Sequence, residues 1–274
     1  MSVARFGPYE VVAPLASGGM GGVFLAAHVQ TGERVALKVV DPRFIDHDEV
    51  VARLYGERAV SAHARHPGLV HIRAAARNAD HVPYLVMEYL EGETLAAIRE
   101  RGELSVDQIT ELGAQIASAL AALHAAGYVH CDVKPDNVLV LADGRVKIID
   151  FGVSRRVDEP PQDDASIAGT PAYMAPEQWR GEPSPASDVY ALGCMLFELL
   201  TGETPFDGSL PKLMWAHLES RPARPSWLRA GIGAELERVV LRALAKDSED
   251  RPTMVELAQQ LGATAERDRV RLSA

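Results

Sequence analysis

The 274-residue sequence predicts an α+β fold in two lobes, a small antiparallel-sheet lobe with one main helix followed by a larger, mostly helical lobe. Three observations carry this. Short β-favouring runs alternate with glycine up to about residue 40. A helical stretch follows, and then two more strand-like runs. Beyond about residue 92 apolar residues recur at three- and four-residue spacing. The expected boundaries are 1–87 for the first lobe, 88–94 for a hinge, 95–264 for the second lobe and 265–274 for a polar tail that frays.

The first runs are Tyr9-Glu10-Val11-Val12, Val23-Phe24-Leu25 and Arg34-Val35-Ala36-Leu37-Lys38-Val39-Val40, with Thr31-Gly32-Glu33 as a turn, so they read as an antiparallel meander. The helix is expected over 49–65, stopped by His66-Pro67-Gly68, and the further strands over 69–74 and 83–89. In the second lobe the clearest helix is 106–126, with Ile109, Leu112, Ile116, Leu120 and Leu123 on one face and Ser105 and Gln108 as a capping box. The pattern recurs over 188–200, 234–244 and 254–261.

The composition is globular, with 47% apolar and 24% charged residues. Two cysteines, Cys131 and Cys194, fit no zinc or disulfide framework and suit a reducing compartment. The first residues lack a signal-peptide core, and the longest apolar stretch is too short to span a bilayer, so a cytoplasmic location without membrane contact is expected. Net charge is −10. Residues 1–87 carry nine Lys/Arg against eight Asp/Glu, leaving −11 on the remainder. Nucleic acid is excluded as a partner on this balance. An acidic field attracting basic proteins is conceivable, but a solvated surface that aids solubility is the preferred reading. The sequence leaves room for a homodimer.

Chemistry-bearing residues come in a definite order. Gly18-Gly19-Met20-Gly21-Gly22-Val23 lies between two strands, where glycines let backbone N–H groups approach phosphate oxygens, although a plain tight hairpin has the same look. Lys38, on a strand apolar enough to be buried, needs an anionic partner. Glu57 is preferred over Glu49 by its spacing from His66-Pro67. His130-Cys131-Asp132-Val133-Lys134-Pro135-Asp136-Asn137 follows the capped helix. One of its aspartates suits orienting a hydroxyl and accepting its proton, the lysine suits neutralising a phosphoryl group, and the asparagine oxygen suits a divalent cation. After an Asp143-Gly144 turn comes Asp150-Phe151-Gly152, whose carboxylate is a second hard oxygen ligand expected beside Asn137.

Together with Ala175-Pro176-Glu177, this set resembles protein kinases over about residues 9 to 262. Gly169-Thr170-Pro171-Ala172-Tyr173-Met174 and Asp188-Val189-Tyr190-Ala191-Leu192-Gly193 look like the bacterial, eukaryotic-like Ser/Thr class. The resemblance implies a protein-kinase-like fold and transfer of the γ-phosphoryl group of ATP to Ser/Thr hydroxyls of proteins, its own included. It makes Lys38 the phosphate-binding lysine, Glu57 its partner, Asp132 the catalytic base, and Asn137 and Asp150 the ligands of Mg²⁺ or Mn²⁺. It points through Lys134 and Thr170 to Ser/Thr acceptors. It places Gly18, Gly19 and Gly21 over the phosphates, Met87 as gatekeeper, Glu88 and Leu90 at the adenine edge, and Val23, Ala36 and Leu139 against the purine. It also implies that Glu177 pairs with Arg251 and that Asp188 braces the catalytic-loop backbone.

Two departures stand out. Ala16 replaces the first glycine of the loop, without expected loss of ATP binding. Cys131 replaces the arginine that usually precedes the catalytic aspartate, and a thiol cannot make that residue's bidentate phosphate contact. Activity is therefore expected not to depend strongly on phosphorylation of the segment after Gly152, whose hydroxyls besides Thr170 are chiefly Ser154 and Ser166. A redox role for a Cys131 thiol activated by His130 is weighed against an inert replacement, and the inert reading is preferred. Cys194 reads as core, and His63, His66 and His217 as packing or surface residues. A pseudokinase scaffold would have lost one of Lys38, Asp132, Asn137 or Asp150, and none is lost. A kinase-like small-molecule phosphotransferase would lack the Gly-Thr-Pro and Ala-Pro-Glu elements, and both are present.

Overall fold

Strand alternation decides what the first sheet buries. In the computed structural model, which describes residues 4–102, 104–160 and 169–272 and side chains through residue 266, the N-terminal strands are β1 (Arg5–Phe6), β2 (Tyr9–Gly18), β3 (Gly21–His28), β4 (Arg34–Val40), β5 (Ile72–Arg77) and β6 (Pro83–Glu88). They form one sheet in the order β1-β2-β3-β4-β6-β5. Side chains two apart share a face. On one face Ala26, Val35, Leu37, Val39, Val82, Tyr84 and Val86 form a core, closed by Phe6, Tyr9, Val11 and Phe24. The opposite face carries Ala36 and Lys38 of β4.

Helix α1 (Asp48–His63) packs against β4, β5 and β6. Val51, Leu54, Glu57 and Val60 recur at threefold spacing along its buried side, so one glutamate sits in an otherwise apolar stripe. Ser61 fastens the helix to the next strand: its hydroxyl donates to the Val70 carbonyl (3.1 Å) and accepts from the Ile72 N–H (2.8 Å). The strand expected over 69–74 begins at Ile72 and continues to Arg77, through three alanines of poor β propensity, because β6 supplies the ladder.

The chain divides into two compact units. The first contains the N-terminal residues through Arg65, Leu69–Glu91 and Asp150–Gly152, and the second His66–Gly68, Gly92–Ile149 and the chain from Val153 onward. In the second, β7 (Gly92–Thr94), β9 (Val138–Leu141) and β10 (Val146–Ile148) form a small sheet, and β8 (Tyr128–Val129) pairs with β11 (Arg155–Arg156). The helices are α2 (Leu95–Glu100), α3 (Val106–Ala125), α4 (Pro185–Thr201), α5 (Leu210–Glu219), α6 (Pro225–Leu228), α7 (Ala234–Ala243) and α8 (Met254–Leu272).

The capping box of α3 is formed, with Ser105 N–H to Gln108 Oε1 at 2.9 Å and Gln108 N–H to Ser105 Oγ at 3.2 Å. Helix α3 packs on α8 and α4. All of 187–200 in α4 is buried, so this mostly apolar helix is covered around its whole circumference and forms the unit's centre. The stretch expected to fray from residue 265 is helical as far as Leu272, with Thr264 and Ala265 buried at its start. Among the described residues no helix is long and apolar enough to cross a membrane.

Candidate active site

In the first unit the site grows from cross-strand rows. Ala16 pairs with Val23, Val23 with Lys38 and Lys38 with Leu85, while Ala36 stands opposite Met87. These residues share the face opposite the core. The glycine-rich hairpin turns at Gly19 and Met20, with Gly18 opposite Gly21. A Cβ on Gly21 would lie 2.1 Å from the Val39 carbonyl oxygen, so β4 itself demands glycine there, whereas a Cβ on Gly18 would make only ordinary contact and Gly19 has open space. The Glu88 N–H donates to the His71 carbonyl (3.0 Å), and Leu90 follows in the connecting segment.

Lys38 Nζ donates to Glu57 Oε1 at 2.6 Å and to Asp150 Oδ1 at 2.9 Å. Asp150 Oδ1 also accepts the Gly152 N–H at 2.9 Å. Glu57 is 2% exposed, and Lys38 and Asp150 side chains are 25% and 42% exposed. Burial pushes the Glu57 carboxyl up to about 7, against the pull of the Lys38 ammonium. Burial also works against the Lys38 charge, but the Glu57 and Asp150 carboxylates outweigh it and hold that lysine above its ordinary range. The rival Glu49 lies exposed in the first turn of α1.

In the second unit the cluster is built around Asp132. Thr170 Oγ1 donates to Asp132 Oδ1 (2.7 Å), Lys134 Nζ donates to Thr170 Oγ1 (2.8 Å), and the same ammonium lies 3.0 Å from Asp132 Oδ2. Asn137 Nδ2 donates to the Asp132 carbonyl (2.9 Å) and to Oδ2 (3.1 Å). The amide nitrogen of Asn137 is thus committed, and its oxygen is the group it has to offer. In the β9–β10 hairpin Ile148 pairs with Val138, the Ile149 N–H bonds the Asn137 carbonyl (3.0 Å), and the chain reaches Asp150 one residue later. Leu139 lies in β9, opposite Lys147 and Thr94.

The loop carrying Asp132 is held by its backbone. Asp188, fully buried in α4, accepts the N–H groups of His130 (2.8 Å) and Cys131 (2.9 Å), and meets His124 Nε2 at 2.8 Å. Glu177 and Arg251 form a bidentate pair at 2.7 and 2.9 Å. Arg251 spends its other donors on the carbonyls of Ala186, Ala245 and Lys246. Burial works to raise the Glu177 carboxyl, but the Arg251 contacts prevail and hold it below the ordinary range.

Sequence reasoning missed two contacts here. Gln178 links the Cys131 carbonyl to the Ala175 N–H, and Tyr173 donates to buried Glu198 (2.6 Å), which also pairs with Arg99. Gln178 directly follows Ala-Pro-Glu, the one sequence signal that marks it. For Glu198 the signal was a carboxylate inside an apolar helix.

The surroundings of Cys131 fit the preferred inert reading. Its thiol is buried, and burial together with the Asp188 charge pushes it up rather than down. His130 Nδ1 faces the Asp132 N–H (3.3 Å), so that nitrogen is turned to the backbone. Cys194 is core, as expected. His217 is buried, with Nδ1 3.0 Å from the Tyr190 hydroxyl, and burial lowers it to about 4. Ser154 Oγ donates to the His130 carbonyl at 3.4 Å, whereas Ser166 lies outside the described residues.

A two-unit fold with a strand lysine, a helix glutamate, an Asp-Phe-Gly carboxylate and a backbone-braced aspartate defines the class to which the chain is assigned by comparison. The model of the protein kinase domain family matches residues 9–261, and the chain belongs to that family. It is 39% identical over 278 aligned positions to the serine/threonine-protein kinase Pkn1 of Myxococcus xanthus, covering 98% of this chain. It is 38% identical to the serine/threonine-protein kinase PknB of Mycobacterium leprae and 37% identical to PknB of Mycobacterium tuberculosis, each over 89% of this chain. The chain spans about 40% of the length of these curated relatives.

Proposed function

We propose that this chain is a catalytic domain that transfers the γ-phosphoryl group of ATP to serine and threonine hydroxyls of proteins, its own among them. The observation that carries the reading is the Thr170 hydroxyl, which donates to Asp132 Oδ1 at 2.7 Å and accepts from Lys134 Nζ at 2.8 Å. An alcohol there is a stand-in for a Ser or Thr acceptor: its proton faces a carboxylate, and a cation lies beside the oxygen that attacks.

Asp132 orients the acceptor hydroxyl and takes its proton as the new O–P bond forms and the bond between the γ-phosphorus and the β-bridging oxygen breaks. Lys134 stabilises the transferring group. Lys38, fixed by Glu57, holds the nucleotide phosphates, and the N–H groups around Gly18 and Gly19 close over them. Asn137 through its amide oxygen and Asp150 through its carboxylate would hold Mg²⁺ or Mn²⁺. Such an ion neutralises phosphate charge. These two hard oxygen donors fit it. Glu88 would offer the adenine its carbonyl, its N–H being spent on His71, and Leu90 its backbone. Val23, Ala36 and Leu139 would contact the purine, with Met87 as gatekeeper.

A net charge of −10 favours protein over nucleic-acid substrates, and a cytoplasmic setting supplies ATP and keeps Cys131 and Cys194 reduced. The test is incubation with γ-labelled ATP, Mg²⁺ and a generic basic protein. Label is expected on Ser and Thr and absent with Lys38→Met or Asp150→Ala. Nucleotide binding without transfer would instead make the chain a scaffold.

A further inference from the structure

The residue preceding Asp132 has an unusual backbone. Cys131 is non-glycine yet adopts φ 66°, in the left-handed region that L side chains rarely occupy. Such a conformation persists only where the surroundings enforce it. Both ends of Cys131 are held: its N–H by Asp188 Oδ1 at 2.9 Å and its carbonyl by Gln178 Nε2 at 2.9 Å.

Gln178 is buried, and its other amide atom is also used, Oε1 accepting the Ala175 N–H at 3.1 Å. Its neighbour Glu177 is locked to Arg251. The Gln178 side chain is therefore a strut. One end stands on the segment fixed by the Glu177–Arg251 pair, and the other presses on the peptide that enters Asp132. Gly169 passes over the same carbonyl. A Cβ there would fall 2.7 Å from the Cys131 oxygen and 3.5 Å from Gln178 Nε2, so the crossing is open only to glycine.

We infer that Gln178 is a positioning residue, which sets the carboxylate of Asp132 through the Cys131 carbonyl and couples the end of the activation segment to the catalytic loop without a phosphate group. This rests on the proposed phosphoryl transfer and deepens it. It gives the absence of arginine at position 131 a structural counterpart: the loop is tied down by a neutral side-chain amide bonded to the main chain. Asp188 alone could not do this, because it holds the N–H groups of His130 and Cys131, on the peptides before the one that enters Asp132, whose own N–H meets His130 Nδ1 at 3.3 Å.

The test compares Gln178→Glu and Gln178→Met with wild type. Glu preserves size and the acceptor for Ala175 but sets an oxygen against the Cys131 carbonyl, and Met removes both bonds. Both variants are expected to lose about tenfold or more in kcat, with KM for ATP changed by less than about twofold, since only placement of the acceptor is disturbed. Made in the Asp132→Asn background, Gln178→Glu should add little further loss, because it acts through a carboxylate no longer there.

A Gln178→Glu enzyme with wild-type kcat, or losses that multiply in the double variant, would overturn the inference. So would loss of a cooperative melt in Gln178→Glu, which would make Gln178 a residue of the fold alone. If wild type transfers no phosphoryl group, the underlying functional reading fails, a result distinct from any of these.

Discussion

The two clusters of candidate functional residues are held in place by opposite means. In the N-terminal unit, Lys38, Glu57 and Asp150 hold one another: one ammonium lies between two carboxylates, and burial works against both Lys38 and Glu57. In the C-terminal unit, the loop that carries Asp132 is held by main-chain contacts, with Asp188 on the peptide N–H groups and Gln178 on a peptide carbonyl. The first arrangement is a balance of charges and should respond to anything that brings further charge, as nucleotide phosphates would. The second is geometric and should respond mainly to loss of shape or of a hydrogen bond.

The sharpest way to break this comparison is to remove the Asp132 carboxylate. Asp132→Asn keeps the size of the side chain, so the fold and the nucleotide contacts should survive, while turnover falls by about 10²- to 10⁴-fold in a steady-state assay. Next in size is the pair that anchors the segment bearing Gln178. The Arg251 side chain is fully buried, and Arg251→Ala leaves Glu177 without its cation and takes one donor from each of three carbonyls. A loss of about 3–5 kcal/mol in urea unfolding is expected.

A smaller effect tests the packing of α5 against α4 at His217 and Tyr190. Burial, with a lesser contribution from Lys246, lowers His217 to about 4, so the unfolded chain binds a proton there that the folded one refuses. The stability that neutral His217 contributes is full above about pH 7 and is lost as pH falls through 6.5 toward 4, the loss reaching about 3 kcal/mol at its limit. Urea unfolding at pH 7 and pH 5 should show a decline for wild type that is reduced in His217→Gln. The smallest expected effect concerns Cys131. Buried and with its thiol held protonated, it should alkylate only at the rate of unfolding, and fast native-state labelling would revive a redox role.

Legibility in the sequence follows the same division. Residues whose chemistry conflicts with their surroundings were readable: a lysine in the apolar strand Val35 to Val40 demanded a counter-ion, and Glu57 provides it. The capped helix α3 and the Asp143-Gly144 hairpin were readable because their signals are local. Gln178 was not, because glutamine conflicts with nothing and its partner is a backbone carbonyl that has no letter in the sequence. Gly21 was read as a phosphate-approach residue, yet Val39 already forbids a side chain there, a contact that exists only once β3 and β4 pair. The second contact of Lys38, with Asp150, spans 112 positions and likewise follows from the fold alone.

The account stands most directly on nucleotide affinity, measured by titrating ATP with Mg²⁺ into Lys38→Met and Asp132→Asn side by side. Asp132→Asn is expected to bind within about threefold of wild type and Lys38→Met at least about tenfold more weakly, since only the lysine meets phosphate charge. Equal affinities in the two variants, or a greater loss in Asp132→Asn, would contradict the division of labour between the charge-balanced cluster and the backbone-held one.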